Sequence, residues 1–152
     1  MKNICIGLFE GETLPESLAA FKDVKLDLEF GKITTIHTLN QLDCEKVVVV
    51  GLGDGKKNIK EAFSKVEADD YLVYVTENTA YAAGFGLVYG AYSYKETKVY
   101  DLESDGFKDE FEKGKTVARI VNHAREISDM PANFLTPDHL VDEAKMVAEK
   151  YG

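Results

Sequence analysis

An uninterrupted run of β-branched residues is the feature that most restricts how this chain can fold. Residues 46–50 read KVVVV, and Gly51 closes the run. Strands with one face in water alternate apolar and polar residues, whereas a continuous apolar run is typical of a strand covered on both faces. We therefore predict a strand in the middle of an α/β sheet at residues 46–50.

The segment before this strand carries the pattern of a half-exposed hairpin. Residues 24–30, VKLDLEF, alternate apolar and charged side chains with a period of two, which predicts a strand with one face in solvent. Gly31 would then turn the chain into residues 33–39, whose Thr and Ile content is typical of a strand. The two segments are predicted to pair and to add antiparallel strands to the sheet.

The remaining strands and helices follow from composition and spacing. Strands are predicted at residues 3–9, 71–76 and 99–102, the last followed by a turn at residues 103–106. Helices are predicted at residues 56–66, 80–94, 107–127 and 136–151, and a helical turn at residues 14–21. Strands that alternate with helices predict an α/β fold, a three-layer mixed β-sheet flanked by helices.

Two of these helices have faces that suggest how they pack. The helix at residues 80–94 is lined mainly by small residues, which we expect to let it approach the sheet closely: Ala80, Ala83, Gly84, Leu87 and Ala91. Each of its three glycines costs about 1 kcal/mol against alanine, so packing has to compensate for the lost helix propensity. The next helix carries one stripe at helical spacing: Phe107, Phe111, Gly114, Val117, Val121, Ala124 and Ile127.

Charge and hydropathy argue against several classes of partner. The chain has 27 acidic and 18 basic residues, a net charge of −9, which repels phosphate backbones and disfavours nucleic-acid binding. No apolar run approaches the ~18 residues of a membrane span, and the start, MKNICIGLFEGE, lacks a secretion-signal cleavage site. Cys5 and Cys44 lack metal-binding spacing and are expected to be free thiols in a reducing cytosol rather than a disulfide. These features predict a cytoplasmic protein.

Residues 51–56, GLGDGK, follow a strand and invite comparison with phosphate-binding loops. A dinucleotide fingerprint would need glycine where Lys56 stands, and a P-loop would need glycine at Val50 and Ser or Thr at Lys57. Both patterns fail. A sharp strand-to-helix turn is the favoured interpretation, with phosphate binding by its backbone N–H groups as the alternative.

No other motif predicts catalysis or metal binding. His37, His123 and His139 are scattered over a strand, a helix and a helix start, without the HExxH spacing of a zinc site. None of the serines lies in a GxSxG elbow. A stacking platform for a ligand is the alternative to core packing for one group of tyrosines, Tyr89, Tyr92 and Tyr94.

The C-terminal part of the chain has the pattern of two helices joined by a hinge. A helical pattern runs up to Ser128 and is broken at Pro131. It restarts at Thr136, whose side chain can cap a helix, with Pro137 at the first helical position and Asp138 at the positive end of the helix dipole. A hinge between two helices is therefore predicted.

This hinge resembles the segment that joins the N-terminal domain to the catalytic domain in leucyl aminopeptidases, also called cytosol aminopeptidases. The family pattern is ARDLxNxPANxLTPxxLAxxA, and the matching residues here are Ala124, Arg125, Pro131, Ala132, Asn133, Leu135, Thr136, Pro137, Leu140 and Ala144. Glu126, Ile127 and Asp129 stand where the family usually has Asp, Leu and Asn.

Two further segments are similar to the same family. Residues 47–53, VVVVGLG, resemble the strand and glycine turn of its N-terminal domain, and residues 84–98 resemble a helix end written EGxxLxxYxFxxYK. The matching residues there are Leu87, Tyr92, Tyr94 and Lys95, with Tyr94 in place of the usual Phe. The resemblance covers most of residues 46–145 and implies a macro-domain-like fold.

The resemblance implies that residues 1–130 form a non-catalytic N-terminal α/β domain, and residues 131–152 a linker and first helix leading towards an absent C-terminal catalytic domain. In the family, divalent zinc or manganese is held in that domain by motifs such as GKGxxFDxGG and NTDAEGR, and neither occurs here. We therefore expect no catalytic, cofactor-binding or metal-binding residues in this chain, which alone would be inactive. The residues carried over as linker and domain-packing residues are Arg125, Pro131, Asn133 and Pro137.

The implied function is that of a fragment or truncated form of a cytoplasmic metallopeptidase that removes N-terminal amino acids from peptides and assembles as a hexamer. In the family this domain flanks the catalytic core and helps shape access to the active sites. Its partners would be the catalytic domain and other copies of the protein. Two alternatives stay open: a free-standing macro-like module that binds ADP-ribose or another nucleotide, and a structural oligomerisation or regulatory domain.

Overall fold

The computed structural model describes residues 2–94 and 99–152, so Lys95, one of the matched positions, lies outside the described residues. The strands are β1 (Asn3–Leu8), β2 (Ile33–His37), β3 (Lys46–Gly51), β4 (Tyr71–Tyr74) and β5 (Leu102–Ser104). The α-helices are α1 (Ile59–Phe63), α2 (Ala80–Gly90), α3 (Lys108–Asp129) and α4 (Pro137–Tyr151), and a 3-10 helix spans Glu16–Phe21. The predicted α/β fold with a mixed sheet flanked by helices is confirmed.

The five strands form one sheet in the order β2-β3-β1-β4-β5. β1 pairs in parallel with β3 and β4, β4 pairs in parallel with β5, and β2 pairs antiparallel with β3. Val47 to Val50 are at most 2% exposed, which confirms the prediction that the KVVVV strand is covered on both faces. Among the described residues, no helix has the length and apolar character needed to cross a bilayer.

Two apolar clusters cover the two faces of the sheet. Val48 and Val50 point to the side of α1, α2 and α3, where Phe63 and Phe111 are fully buried. On the other face, Val47 and Val49 pack against Leu18 and Phe21 of the 3-10 helix. The two cysteines also divide between the clusters, Cys5 with the first and Cys44 with the second, which confirms that they are free, buried thiols.

The predicted hairpin of residues 24–30 with residues 33–39 is wrong. Residues 24–30 form no strand, and β2 pairs with the strand that follows it, β3. The period-two pattern has a different cause: Leu26 and Leu28 pack on the second apolar cluster while the charged residues between them stay exposed. The alternation of apolar and charged side chains therefore belongs to an extended segment that packs on the sheet through its leucines. The segment is not a strand, because a strand also needs a continuous ladder of backbone hydrogen bonds to a neighbour.

The short strand predicted at residues 99–102 is displaced towards the C-terminus. Leu102 begins β5, the strand continues through residues where a turn was predicted, and Val99 is 93% exposed. Leu102 and Ser104 point inward while Glu103 points outward, so the strand follows the alternation of its own three residues.

The glycines of α2 face neighbouring helices, which corrects the expectation that they serve close approach to the sheet. A Cβ at Gly84 would lie 2.2 Å from the carbonyl oxygen of Phe111 in α3, and one at Gly114 would lie 2.2 Å from that of Tyr81 in α2. On the opposite side, a Cβ at Gly86 would lie 2.5 Å from the carbonyl oxygen of Lys60 in α1. Helix α2 is thus held between α1 and α3 at distances that only glycine permits.

The buried face of α3 is rotated from the predicted stripe. Phe111, Gly114, Lys115 and Ala118 are buried, whereas Ala124, which the stripe included, is exposed. Lys115 buries its aliphatic stem and donates from Nζ to the carbonyl oxygen of Leu102 at 2.8 Å and to Glu112 at 2.7 Å. A charged residue with a buried stem is invisible to a search for apolar periodicity.

One buried amide connects the starts of three neighbouring strands. Asn3 of β1 accepts the backbone N–H of Lys46 in β3 at 3.0 Å, and its Nδ2 donates to Asp69, just before β4, at 3.0 Å. The side chain of Lys46 reaches the same carboxylate at 2.8 Å. The three strands are therefore fixed in register at their N-terminal ends.

The close approach of α2 and α3 can be tested with one added methyl group. We expect Gly84→Ala to lower the free energy of unfolding by roughly 1–3 kcal/mol, because its Cβ meets backbone that cannot move without shifting a helix. Gly106→Ala is the matched control, since a Cβ there meets nothing within 4 Å. Urea unfolding measures both, and an unchanged midpoint for Gly84→Ala would contradict the packing.

Candidate functional site

The glycine turn after β3 is built to satisfy its own polar groups. Gly53 and Gly55 have φ angles of +64° and +79°, a region that glycine tolerates best. Gly53 donates its N–H to the carbonyl of Leu28 at 3.0 Å, and Asp54 accepts the N–H of Lys56 at 3.1 Å. The Lys56 side chain also pairs with Asp54 at 2.7 Å, and this hydrogen bond lowers the pKa of that carboxyl. A phosphate at this turn would meet a carboxylate that already holds both the local N–H and the local ammonium.

Cations and aromatic rings alternate across the outer side of α1 and α2. The Nζ atoms of Lys57 and Lys65 lie 5.0 and 5.5 Å from the centroid of the Phe30 ring. Lys60 lies 4.8 Å from the Phe85 centroid, and Phe85 stacks on Tyr89 at 5.6 Å. Because lysine side chains already cover the Phe30 and Phe85 rings, the arrangement supports a packing role for these two residues.

Arg125 ties α3 to the C-terminal end of α2. Its guanidinium lies 4.3 Å from the ring centroid of Tyr89 and 4.2 Å from that of Tyr92. It donates from Nη1 to the carbonyl of Tyr89 at 3.0 Å and to the side chain of Asn122 at 3.1 Å, while Asn122 donates to the carbonyl of Val88 at 2.9 Å. The last carbonyls of a helix lack partners within it, so this positive charge both caps α2 and complements its dipole.

Asp129 extends the same cluster. The hydroxyl of Tyr92 donates to its carboxylate at 2.7 Å. Burial, followed by this hydrogen bond, raises the pKa of Tyr92 to about 12, so the phenol remains the donor well into the alkaline range. Asp129 stands where the hinge pattern usually has Asn. Its carboxylate has a structural role here, because it accepts the hydrogen bond from Tyr92.

The other three residues carried over from the hinge pattern lie on the surface. Pro131, Asn133 and Pro137 are exposed, whereas Arg125 is half-buried against α2. The hinge is a compact turn in which Pro131 accepts the N–H groups of Phe134 and Leu135 at 2.8 and 3.0 Å. Thr136 then caps α4 by accepting the N–H of His139 at 3.2 Å, and Pro137 occupies the first turn as predicted.

Helix α4 approaches α3 with its polar side. Glu143, whose side chain is 15% exposed, has one carboxylate oxygen 3.5 Å from Nε2 of His123 in α3 and the other 3.6 Å from Nε2 of His139. No residue of α4 is buried. His123 and His139, which are far apart in the sequence, thus lie near the same carboxylate. The i, i+4 spacing of His139 and Glu143 is the sequence signal for one of these two contacts.

The apolar side of α4 has no covering element among the described residues. We call this surface the apolar arc; its members are Leu140, Val141, Ala144, Val147, Ala148 and Tyr151, all of them exposed. Leu140, Val147 and Tyr151 are 45%, 44% and 72% exposed. Phe134 in the hinge is 65% exposed. Exposed apolar side chains grouped on one face are typical of surfaces that contact another element or molecule.

The described residues contain no group of three or more His, Cys, Asp or Glu side chains placed to hold a metal ion. Burial raises the pKa of Cys5 to about 12 and also raises that of Cys44, so neither thiol forms a thiolate readily. The polar side chains described above, such as Arg125, Asn122 and Asp129, make contacts between helices.

Sequence comparison finds full-length enzymes that share this region. No protein-family model matches the chain. It is 32% identical over 145 residues to a probable cytosol aminopeptidase of Exiguobacterium sibiricum, an alignment that covers 80% of this chain and 30% of that protein. It is 31% identical over 147 residues to the cytosol aminopeptidase of Rattus norvegicus, covering 76% and 27%. The chain thus spans less than a third of the curated relatives it matches.

Structural comparison finds the same fold. The bottromycin maturation enzyme BotP in complex with Mn superposes with a TM-score of 0.73 at 18% identity, covering 98% of this chain and 36% of that one. The cytosol aminopeptidase from Coxiella burnetii gives a TM-score of 0.68 at 17% identity, covering 99% and 36%. At these identities the structural matches establish the fold.

One substitution can test whether Arg125 holds α2 and α3 together. We expect Arg125→Ala to lower the free energy of unfolding by roughly 1–3 kcal/mol, because two ring contacts and the hydrogen bonds at the end of α2 are lost. Arg119→Ala, at an exposed position of the same helix, is the control and should change little. Equal unfolding midpoints for the two variants would show that Arg125 does not hold α2 and α3 together.

Proposed function

Because this chain is related in sequence to cytosol aminopeptidases and matches their N-terminal domain in fold, we propose that it serves as the non-catalytic N-terminal domain of a leucyl aminopeptidase-like metallopeptidase. The whole protein would remove N-terminal amino acids from peptides in the cytoplasm. The domain would contribute to assembly or to shaping access to the active site.

The apolar arc of α4 is the observation that carries this proposal. In a helix that belongs wholly to its own domain, the apolar side faces the core and the polar side faces water. In α4 the side chains that meet α3 are polar, while Leu140, Val147 and Tyr151 face solvent. We propose that residues 1–130 form the domain and residues 131–152 lead into a C-terminal catalytic domain, which covers the apolar arc.

The hinge residues take distinct roles within this proposal. Pro131, Asn133 and Pro137 stand at the surface, where a following domain can contact them. Arg125 anchors the preceding helix to α2 and so fixes where the hinge begins. All four act as linker and domain-packing residues, with no part in the chemistry.

The metal belongs to the proposed catalytic domain. The described part of this chain offers no cluster of ligands for zinc or manganese, so its residues do not fit that cofactor. One structural neighbour was solved with Mn bound, which supports a metal-dependent reaction in proteins of this fold. We propose zinc or manganese as the cofactor of the whole enzyme, peptides as its substrates, and a homo-oligomer such as a hexamer as its assembled form.

A nucleotide-binding module fits the geometry less well. Asp54 occupies the N–H and the ammonium of Lys56 at the glycine turn, and a bound phosphate would have to displace this carboxylate. Glu12 likewise accepts the N–H of Phe9 after β1 at 2.8 Å. The domain role is therefore preferred to ADP-ribose binding.

The first test asks whether the apolar arc has a partner within this chain. We expect Leu140→Gln and Val147→Gln to change the free energy of unfolding by no more than about 0.5 kcal/mol, because both side chains face solvent. Leu87→Ala, at a buried position, is the control and should cost roughly 2–5 kcal/mol. Native-state hydrogen exchange should also be faster along α4 than along α2 in a monomeric sample. A large loss for either glutamine variant, or slow exchange throughout residues 141–150, would mean that α4 packs on its own domain.

The second test concerns activity. We expect the 152-residue chain to show no turnover of a leucine chromogenic amide with added zinc or manganese, because residues 2–94 and 99–152 contain no group of side chains placed to hold a metal. A full-length cytosol aminopeptidase assayed in parallel shows that the conditions support turnover. Turnover that survives repurification and is abolished by a chelator would overturn the non-catalytic assignment.

A further inference from the structure

The two edges of the sheet differ in how they are protected from pairing. Natural proteins blunt edge strands by making them short or by placing charges on them. β5 is three residues long, and its central Glu103 binds Lys2 at 2.8 Å. β2 is five residues long, reads ITTIH, and contains neither proline nor an acidic, lysine or arginine residue. The β2 edge has none of these protective features.

The hydrogen-bond pattern shows which groups of β2 face outward. Gly51 donates to the carbonyl of Lys32 at 2.8 Å, and Thr38 donates to the carbonyl of Glu45 at 3.0 Å. Hydrogen-bonded pairs alternate along an antiparallel ladder, so Thr34 and Ile36 bond to β3. The N–H and C=O groups of the intervening residues, Ile33, Thr35 and His37, therefore point away from the sheet.

Nothing in the described part of the chain takes up these outward groups. No hydrogen bond outside the ladder uses the backbone of Ile33, Thr35 or His37. Their side chains are exposed as well, with Ile33 at 36%, whereas Ile36 is 7% exposed and faces the second apolar cluster. β2 thus presents three donors and three acceptors at strand spacing.

We propose that β2 pairs antiparallel with β2 of a second copy of this chain, about a two-fold axis through Thr35. Ile33 of each copy would then lie opposite His37 of the other, and Thr35 would lie opposite its own copy. All outward N–H and C=O groups would be satisfied, and the two five-stranded sheets would join into one. A two-fold axis makes the contact self-complementary and closed, so it stops at a dimer.

Charge favours this site for contact between two acidic chains. Each copy has a net charge of −9, so most of the surface repels another copy. Between Lys32 and Asp43 the chain carries no Lys, Arg, Asp or Glu. In the register centred on Thr35, Lys32 lies opposite Thr38 of the second copy, and no acid faces an acid within the paired strands. This inference rests on the β2 edge alone and holds whether or not the proposed function is correct.

The proposal is tested by blocking one outward N–H. Sedimentation across a wide concentration series should show a monomer–dimer equilibrium for the wild-type chain. Thr35→Pro should be monomeric at concentrations where the wild type is dimeric, because proline removes the donor that β3 does not use. Thr35→Val keeps the N–H and is the matched control, which should dimerise. A wild-type chain that stays monomeric or forms open-ended aggregates would overturn the proposal, as would a dimeric Thr35→Pro variant.

A charge pair keeps the test decisive if the proline variant fails to fold. Thr35 meets itself on the axis, so Thr35→Lys places two ammonium groups opposite each other and Thr35→Glu places two carboxylates. Each variant alone should be monomeric, and an equimolar mixture should form a heterodimer. Hydrogen exchange of the backbone amide at position 35 should slow in the mixture compared with either variant alone. Absence of a heterodimer in the mixture would refute pairing centred on this residue.

Discussion

The fold depends on how closely three helix backbones approach one another. Gly84 and Gly114 bring α2 against α3, and Gly86 brings α2 against α1, where added methyl groups would overlap carbonyl oxygens. These contacts place Phe63 and Phe111 over the valine strand, so the main core forms only if the helices reach this spacing. Because the helix propensity lost at each glycine is recovered only in the assembled layer, α2 has little reason to be helical before its neighbours are present.

The sequence predicts well whatever is encoded by local side-chain pattern. The buried strand at Val47 to Val50, the capped start of α4 and the mixed α/β architecture were all predictable, since each rests on neighbouring residues. The pairing partner of β2 was not, because alternation shows which side chains point inward but not which backbone lies alongside. The stripe of α3 was misplaced for a related reason. Lys115 lies on the buried face because its aliphatic stem is covered and its Nζ donates to the carbonyl of Leu102, 13 residues away. The contact of His123 with Glu143 depends on how two helices meet across a hinge, which no single pattern encodes.

The polar clusters around Arg125 and Glu143 differ in how firmly they hold their helices. Around Arg125, the rings of Tyr89 and Tyr92 and the carbonyl of Tyr89 contact the guanidinium, while Asn122 binds the carbonyl of Val88, so the C-terminal part of α3 is held against α2. Around Glu143, the Nε2 atoms of two imidazoles lie 3.5 and 3.6 Å from one carboxylate, which are longer distances than those of the Arg125 hydrogen bonds. The end of α3 is therefore fixed by several contacts, whereas α4 after the hinge has no buried residue and few contacts to hold it.

The amide of Asn3 has a consequence for the order in which the sheet can form. It joins backbone and side-chain groups that lie 43 and 66 residues away along the chain. Parallel strands need long crossovers, and closing such loops costs entropy before any contact compensates for it. A strand that entered the sheet one residue out of step would leave this buried amide without one of its two partners, which costs free energy. Asn3 is satisfied only when β1 is in register with β3 and with β4, so one side chain couples the pairing of strands that are distant in the sequence.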